Sequence, residues 1–109
     1  MNIHTRLVGD AHVLDIDGKI VLGKGTMTVR NTIKDLLHNG VRKIVLNLAE
    51  VNYIDSSGVG ELVSSFTTVE KEGGQLKLLN LTTKVREILA ITRLLTVFQV
   101  FDDEQAATR

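Results

Sequence analysis

Ile44, Val45, Leu46 and Leu48 form a run with almost no polar interruption. A strand with one wet face alternates apolar and polar residues. A dense run suits a strand buried on both faces, the usual condition of an inner strand in a parallel sheet. Parallel strands need crossover connections, usually helices, and the flanking sequence supplies them. Val29, Ile33, Leu36 and Leu37 fall at helical spacing, which predicts an amphipathic helix over residues 26–38, stopped by Asn39-Gly40. Val59, Leu62, Val63 and Phe66 predict a second helix from about Ser57 to Glu72, closed by Gly73-Gly74.

The remaining segments extend the alternation. Residues 2–8 alternate as a half-exposed strand, and residues 11–17 read as its hairpin partner across Gly9-Asp10. Gly18 and Gly23-Lys24-Gly25 mark a loop, and the strand at residues 42–48 is followed by a loop from Ala49 to Asp55. Leu76, Leu78 and Leu79 predict another buried strand. Thr82-Thr83 are candidate N-caps for a helix carrying Val85, Ile88 and Leu89. Val97, Phe98, Val100 and Phe101 suggest a last strand, and Asp102-Asp103-Glu104 a terminal helix. The order β-β-α-β-α-β-α-β-α predicts an α/β fold, a mixed and mostly parallel sheet packed against helices, in one domain over residues 1–109.

Several function classes lose support. Thirteen basic residues balance thirteen acidic ones, so the total charge carries no footprint for nucleic acid. Without cysteine there is neither a disulfide framework nor a thiolate metal site. His4, His12 and His38 lack metal-ligand spacing. No apolar run nears the roughly 18 residues of a membrane span, and the N-terminus lacks signal-peptide character. The expectation is a cytoplasmic protein without metal, cofactor or membrane insertion. Neither a nucleophile elbow nor a P-loop is present, and Gly23-Lys24-Gly25-Thr26 is too common a loop to carry nucleotide binding.

Sites in open α/β sheets gather beyond the carboxyl ends of strands, at helix N-termini. The loop entering the second helix is such a place, and it reads Asp55-Ser56-Ser57-Gly58-Val59-Gly60. Unpaired N–H groups and the positive end of the helix dipole make an anion welcome there. The two glycines allow close approach of backbone or ligand. A plainer reading takes Asp55-Ser56-Ser57 as an N-cap and nothing more.

The stretch Ile44-Val45-Leu46-Asn47-Leu48, followed by Val51-Asn52-Tyr53-Ile54-Asp55-Ser56-Ser57-Gly58-Val59-Gly60, resembles the signature of bacterial anti-anti-sigma factors, in the STAS domain family. Gly73 to Leu78 and Val85 to Phe98 resemble the family's later elements. The resemblance implies a non-enzymatic protein that binds an anti-sigma factor, often itself a Ser/Thr protein kinase. Phosphorylation of the serine after the motif aspartate ends the complex, and a Ser/Thr phosphatase restores it. By position that serine is Ser56. Ser57 matches the second hydroxyl position and ranks below it as acceptor; as the residue further into the helix, its hydroxyl is expected to serve in capping. The implied partner surface comprises Asp55, Ser56, Ser57, Gly58, Val59, Gly60 and Val21.

Two positions depart from the family pattern. Gly18-Lys19-Ile20-Val21 stands where many relatives carry Gly-Glu-Leu-Asp, and Arg93 stands where a glycine is usual. The rival readings are a STAS module used for assembly in a signalling complex or transport system without a phosphorylation cycle, and an enzyme or nucleotide-binding protein. A homo-oligomer is compatible with each.

Overall fold

The structure, a computed structural model, describes residues 1–109. Nine elements follow one another: β1 (Asn2–Val8), β2 (Ala11–Ile20), α1 (Lys24–His38), β3 (Lys43–Ile54), α2 (Ser56–Lys71), β4 (Gln75–Leu79), α3 (Thr83–Ile91), β5 (Gln99–Phe101) and α4 (Glu104–Ala107). The strands form one sheet in the order β1-β2-β3-β4-β5. β1 is antiparallel to β2, and every other pair is parallel. This is the expected α/β architecture, with the hairpin as its antiparallel edge.

The apolar run of β3 behaves as its composition requires. Ile44, Leu46 and Leu48 point into the main core, where Val29 and Ile33 of α1, Leu62 and Val69 of α2 and Leu89 of α3 meet them. Val45 points the other way, into a smaller cluster with Ala11, Val13, Leu79 and Ala107. The helix over β4 and β5 on that second face is only α4, a single turn. Phe98, before β5, is buried and stacks edge-to-face on Phe66 at 5.4 Å between centroids.

Two strands run further than the sequence reading allowed. β2 continues through Gly18 to Ile20, and β3 continues through the predicted 49–55 loop to Ile54. The two extensions pair with each other, Gly18 opposite Val51 and Ile20 opposite Ile54. Register shifts flank Gly18, and these irregularities let Val51 and Ile54 both turn inward although they are three residues apart. Strict alternation is absent there, so the period-two signal fails. The extension carries the chain directly to Asp55.

Arg93 ends α3 in a left-handed conformation, φ 61°. Its N–H reaches the Ala90 carbonyl and the Leu94 N–H reaches Leu89, the bonding pattern of a Schellman cap in which glycine is normal. That explains why the resemblance led us to expect glycine at this position. Arg93→Gly should raise stability by about 0.5–1 kcal/mol in urea unfolding, because it relieves a conformation costing an L-residue roughly 1–2 kcal/mol. A less stable variant would show that the arginine side chain stabilises this corner.

Candidate functional site

The site begins where β3 stops. Asp55 is extended and serves as N-cap of α2, its side chain accepting from the Gly58 N–H at 2.8 Å. Its second carboxylate oxygen accepts from the Leu22 N–H at 3.1 Å. The backbone N–H of Asp55 reaches the Ile20 carbonyl at 3.4 Å. One residue thus clips the turn after β2 to the first turn of α2. The Leu22 amide, then the Gly58 amide, hold the Asp55 carboxyl below its ordinary range.

A carboxylate depressed in this way stabilises the fold fully above its ordinary pKa and loses that contribution as pH falls through the lowered value. Asp55→Ala should lower Tm by about 4–8 °C near neutrality, as loss of one cap in a domain this size does. The gap between the two proteins should narrow only below about pH 4. A gap that stays constant down to about pH 2 would show that the charged form contributes nothing.

Ser56 is the first residue of α2 and is exposed. Ser57 is half-buried. The cap bond comes from Asp55, so the expectation that Ser57 supplies it is corrected. The carboxylate one residue outside the helix reaches the Gly58 amide first, leaving the capping role filled.

The other motif residues divide sharply. Gly58 and Val59 are buried, and neither offers an outer surface to a partner, contrary to the sequence reading. Val59 joins the main core. Gly58 lies against β2, where a Cβ would stand 2.0 Å from the Ile20 carbonyl oxygen. Its close approach is to this chain's own backbone. Gly60 is exposed, with nothing within 4 Å of where a Cβ would be. Val21 is half-buried, and its carbonyl accepts from the Thr26 N–H at 3.1 Å.

The structure adds residues that sequence reasoning missed. Leu22, fixed against Asp55 by its amide, is 76% exposed, and Met27 on α1 is 55% exposed. Leu22 follows Val21 directly, ahead of Gly23, and the sequence reading stopped at Val21. Glu61 on α2 is buried; its carboxylate meets Arg30 of α1 at 2.8 Å and accepts from Ser65 Oγ at 3.0 Å. This bridge ties α1 to α2 behind the motif. Such a pair, formed across 31 residues, leaves no local trace in the sequence.

Exposed Ser56 at a helix N-terminus can accept a phosphate without burying it, since amide dipoles there favour an anion. The modification would set a charge of about −2 beside the Asp55 carboxylate.

Comparison with known proteins bears on the fold and the family. The anti-sigma-B factor antagonist of Bacillus subtilis (strain 168) is 40% identical over 53 residues, which span 49% of this chain and 49% of that protein. A crystal structure of a Thermotoga maritima protein classed by name with the anti-sigma factor antagonists superposes with a TM-score of 0.87 at 24% identity, covering 96% of this chain and 90% of that one. The anti-sigma factor antagonist SpoIIAA in its unphosphorylated form gives 0.80 at 22% identity over 97% and 92%. Its phosphorylated form gives 0.74 at 21% over 97% and 96%. At these identities the structures speak for the fold. The STAS domain model matches residues 2–107, nearly the whole chain, and the chain belongs to the STAS domain family.

Proposed function

We propose that this chain is an anti-sigma factor antagonist, a non-enzymatic binding module switched by phosphorylation of Ser56. Unmodified, it docks on an anti-sigma factor through the exposed end formed by Ser56, Leu22 and the first turn of α2. That anti-sigma factor is a Ser/Thr protein kinase which modifies Ser56 and so ends the complex, and a Ser/Thr phosphatase resets it. The observation that carries this reading is the exposure of Ser56 at the α2 N-terminus beside exposed Leu22, with Asp55 fixing both. The names of the relatives supply the partner class.

The apolar character of Leu22 suits the Lys19-Ile20-Val21 departure. A partner that meets this loop offers an apolar pocket rather than a basic one. The test is a calorimetric titration against the anti-sigma factor of the same organism. Wild type should bind, and Leu22→Asp should bind at least about tenfold more weakly, about 1.4 kcal/mol, with Tm unchanged. No binding by wild type would refute the antagonist reading. Equal binding by Leu22→Asp would move the contact away from this loop.

A further inference from the structure

β1 is an outer strand of the sheet, and its far side pairs with nothing. Edge strands in natural proteins are usually short, bulged, or guarded by lysine or proline. β5, at the opposite edge, follows that rule with three residues. β1 does not. It has seven residues, NIHTRLV, with neither lysine nor proline. Its register with β2 runs without a shift from Asn2 opposite Asp17 to Val8 opposite Ala11. Its one permanent charge, Arg6, is folded back onto Asp15 and Glu104. Leu7 is 63% exposed.

The hairpin turn decides which backbone groups face outward. Gly9-Asp10 is a two-residue connection, and Gly9 has φ 62°, as the first central residue of a type II′ turn requires. The pair flanking such a turn, Val8 and Ala11, is hydrogen-bonded, and bonded pairs then alternate along the ladder. Asn2, His4, Arg6 and Val8 therefore direct their N–H and C=O groups to β2. Ile3, Thr5 and Leu7 direct theirs to the open edge.

We propose that this edge pairs with the same edge of a second copy, as an antiparallel dimer whose two-fold axis passes through Thr5. In that register the outward groups of Ile3 meet those of Leu7 in the second copy, and Thr5 meets Thr5. About six backbone hydrogen bonds form, two for each bonded pair. Exposed Leu7 gains an apolar cross-strand neighbour in Ile3, and a threonine pair sits at the centre. His4 faces an Arg6 whose charge is already met by two carboxylates. The self-complementarity singles out a second copy rather than a foreign strand. The three outward residues read apolar, hydroxyl, apolar, and are symmetric about Thr5.

A single pair of short strands buries less than the roughly 1,200 Å² of a stable interface. The dimer is accordingly weak, with Kd on the order of 0.1 mM. Sedimentation velocity near neutral pH, from about tenfold below to tenfold above that concentration, should show the mass rising from monomer to dimer. Thr5→Lys sets two like charges directly opposite each other across the axis. It should leave a monomer throughout, with Tm unchanged because Thr5 is exposed.

The chain has no cysteine, so any disulfide in a single-cysteine variant joins two copies. Thr5→Cys places its Cα atoms about 5.5 Å apart, within disulfide range. It should oxidise to a covalent dimer faster than His4→Cys, which faces Arg6. A monomer at every concentration, a dimer that Thr5→Lys leaves intact, or equal cross-linking of the two cysteine variants would each overturn the proposal.

Discussion

Gly58→Val is expected to destabilise the fold severely. A Cβ at this position would lie 2.0 Å from the Ile20 carbonyl oxygen, 2.6 Å from Ile54 Cγ1 and 3.0 Å from the Ile20 carbonyl carbon. The first contact is with backbone in a paired strand, which cannot rotate away as a side-chain tip can. Overpacking a core by a few methylenes already costs about 1–3 kcal/mol. Here α2 must lift from β2 and break the Asp55 clip, so a loss above about 3 kcal/mol is expected from a total of roughly 5–15. Gly58→Ala meets the same oxygen and should be strongly destabilised as well. Gly60→Ala is the control: nothing lies within 4 Å, and alanine in an exposed helical position should add about 0.5–1 kcal/mol. The measurement is urea unfolding of the three variants. A Gly58→Ala protein within about 1 kcal/mol of wild type would show that β2 yields easily and that the glycine serves another purpose.

The two glycines of the motif look alike in sequence and differ in the fold. What separates them is Ile20, on a strand that the sequence reading ended at residue 17. Dense or helically spaced apolar residues were legible: Ile44 to Leu48, the stripe of α1, and the stripe from Val59 to Phe66 each mark the element they form. Segments without a regular period were not. Val51 and Ile54 are strand residues because β2 extends alongside them through a register irregularity, a property of the pair. Buried Glu61 depends likewise on Arg30 across the helix interface. The start of α1 at Lys24 went unread because Gly23 caps it without a side-chain bond. For the candidate site, position in the chain pointed to the loop that enters α2. The division of labour within it, Asp55 bonding and Ser56 open, required the geometry.

That division leads to the second large expectation. Ser56→Ala should accept no phosphate from the cognate kinase, whereas Ser57→Ala should still be modified. With the cap filled by Asp55, Ser56 stands exposed at the first residue of α2, while Ser57 is half-buried. Phosphorylation should leave the fold in place, since negative charge at a helix N-terminus is favourable or neutral. Ser56→Asp should accordingly change stability by less than about 1 kcal/mol. Affinity should respond far more. A charge of about −2 entering a desolvated interface beside Asp55 needs to cost only about 2.7 kcal/mol to weaken binding a hundredfold.

The most direct measurement incubates wild type, Ser56→Ala and Ser57→Ala with the cognate anti-sigma factor kinase and ATP, reads each by intact mass, and titrates each product against the same partner. One phosphate on wild type and on Ser57→Ala, none on Ser56→Ala, and at least about a hundredfold loss of affinity on modification is the predicted result. Phosphate on Ser56→Ala but not on Ser57→Ala, or a phosphorylated wild type that binds as tightly as the unmodified protein, would contradict the switch at Ser56.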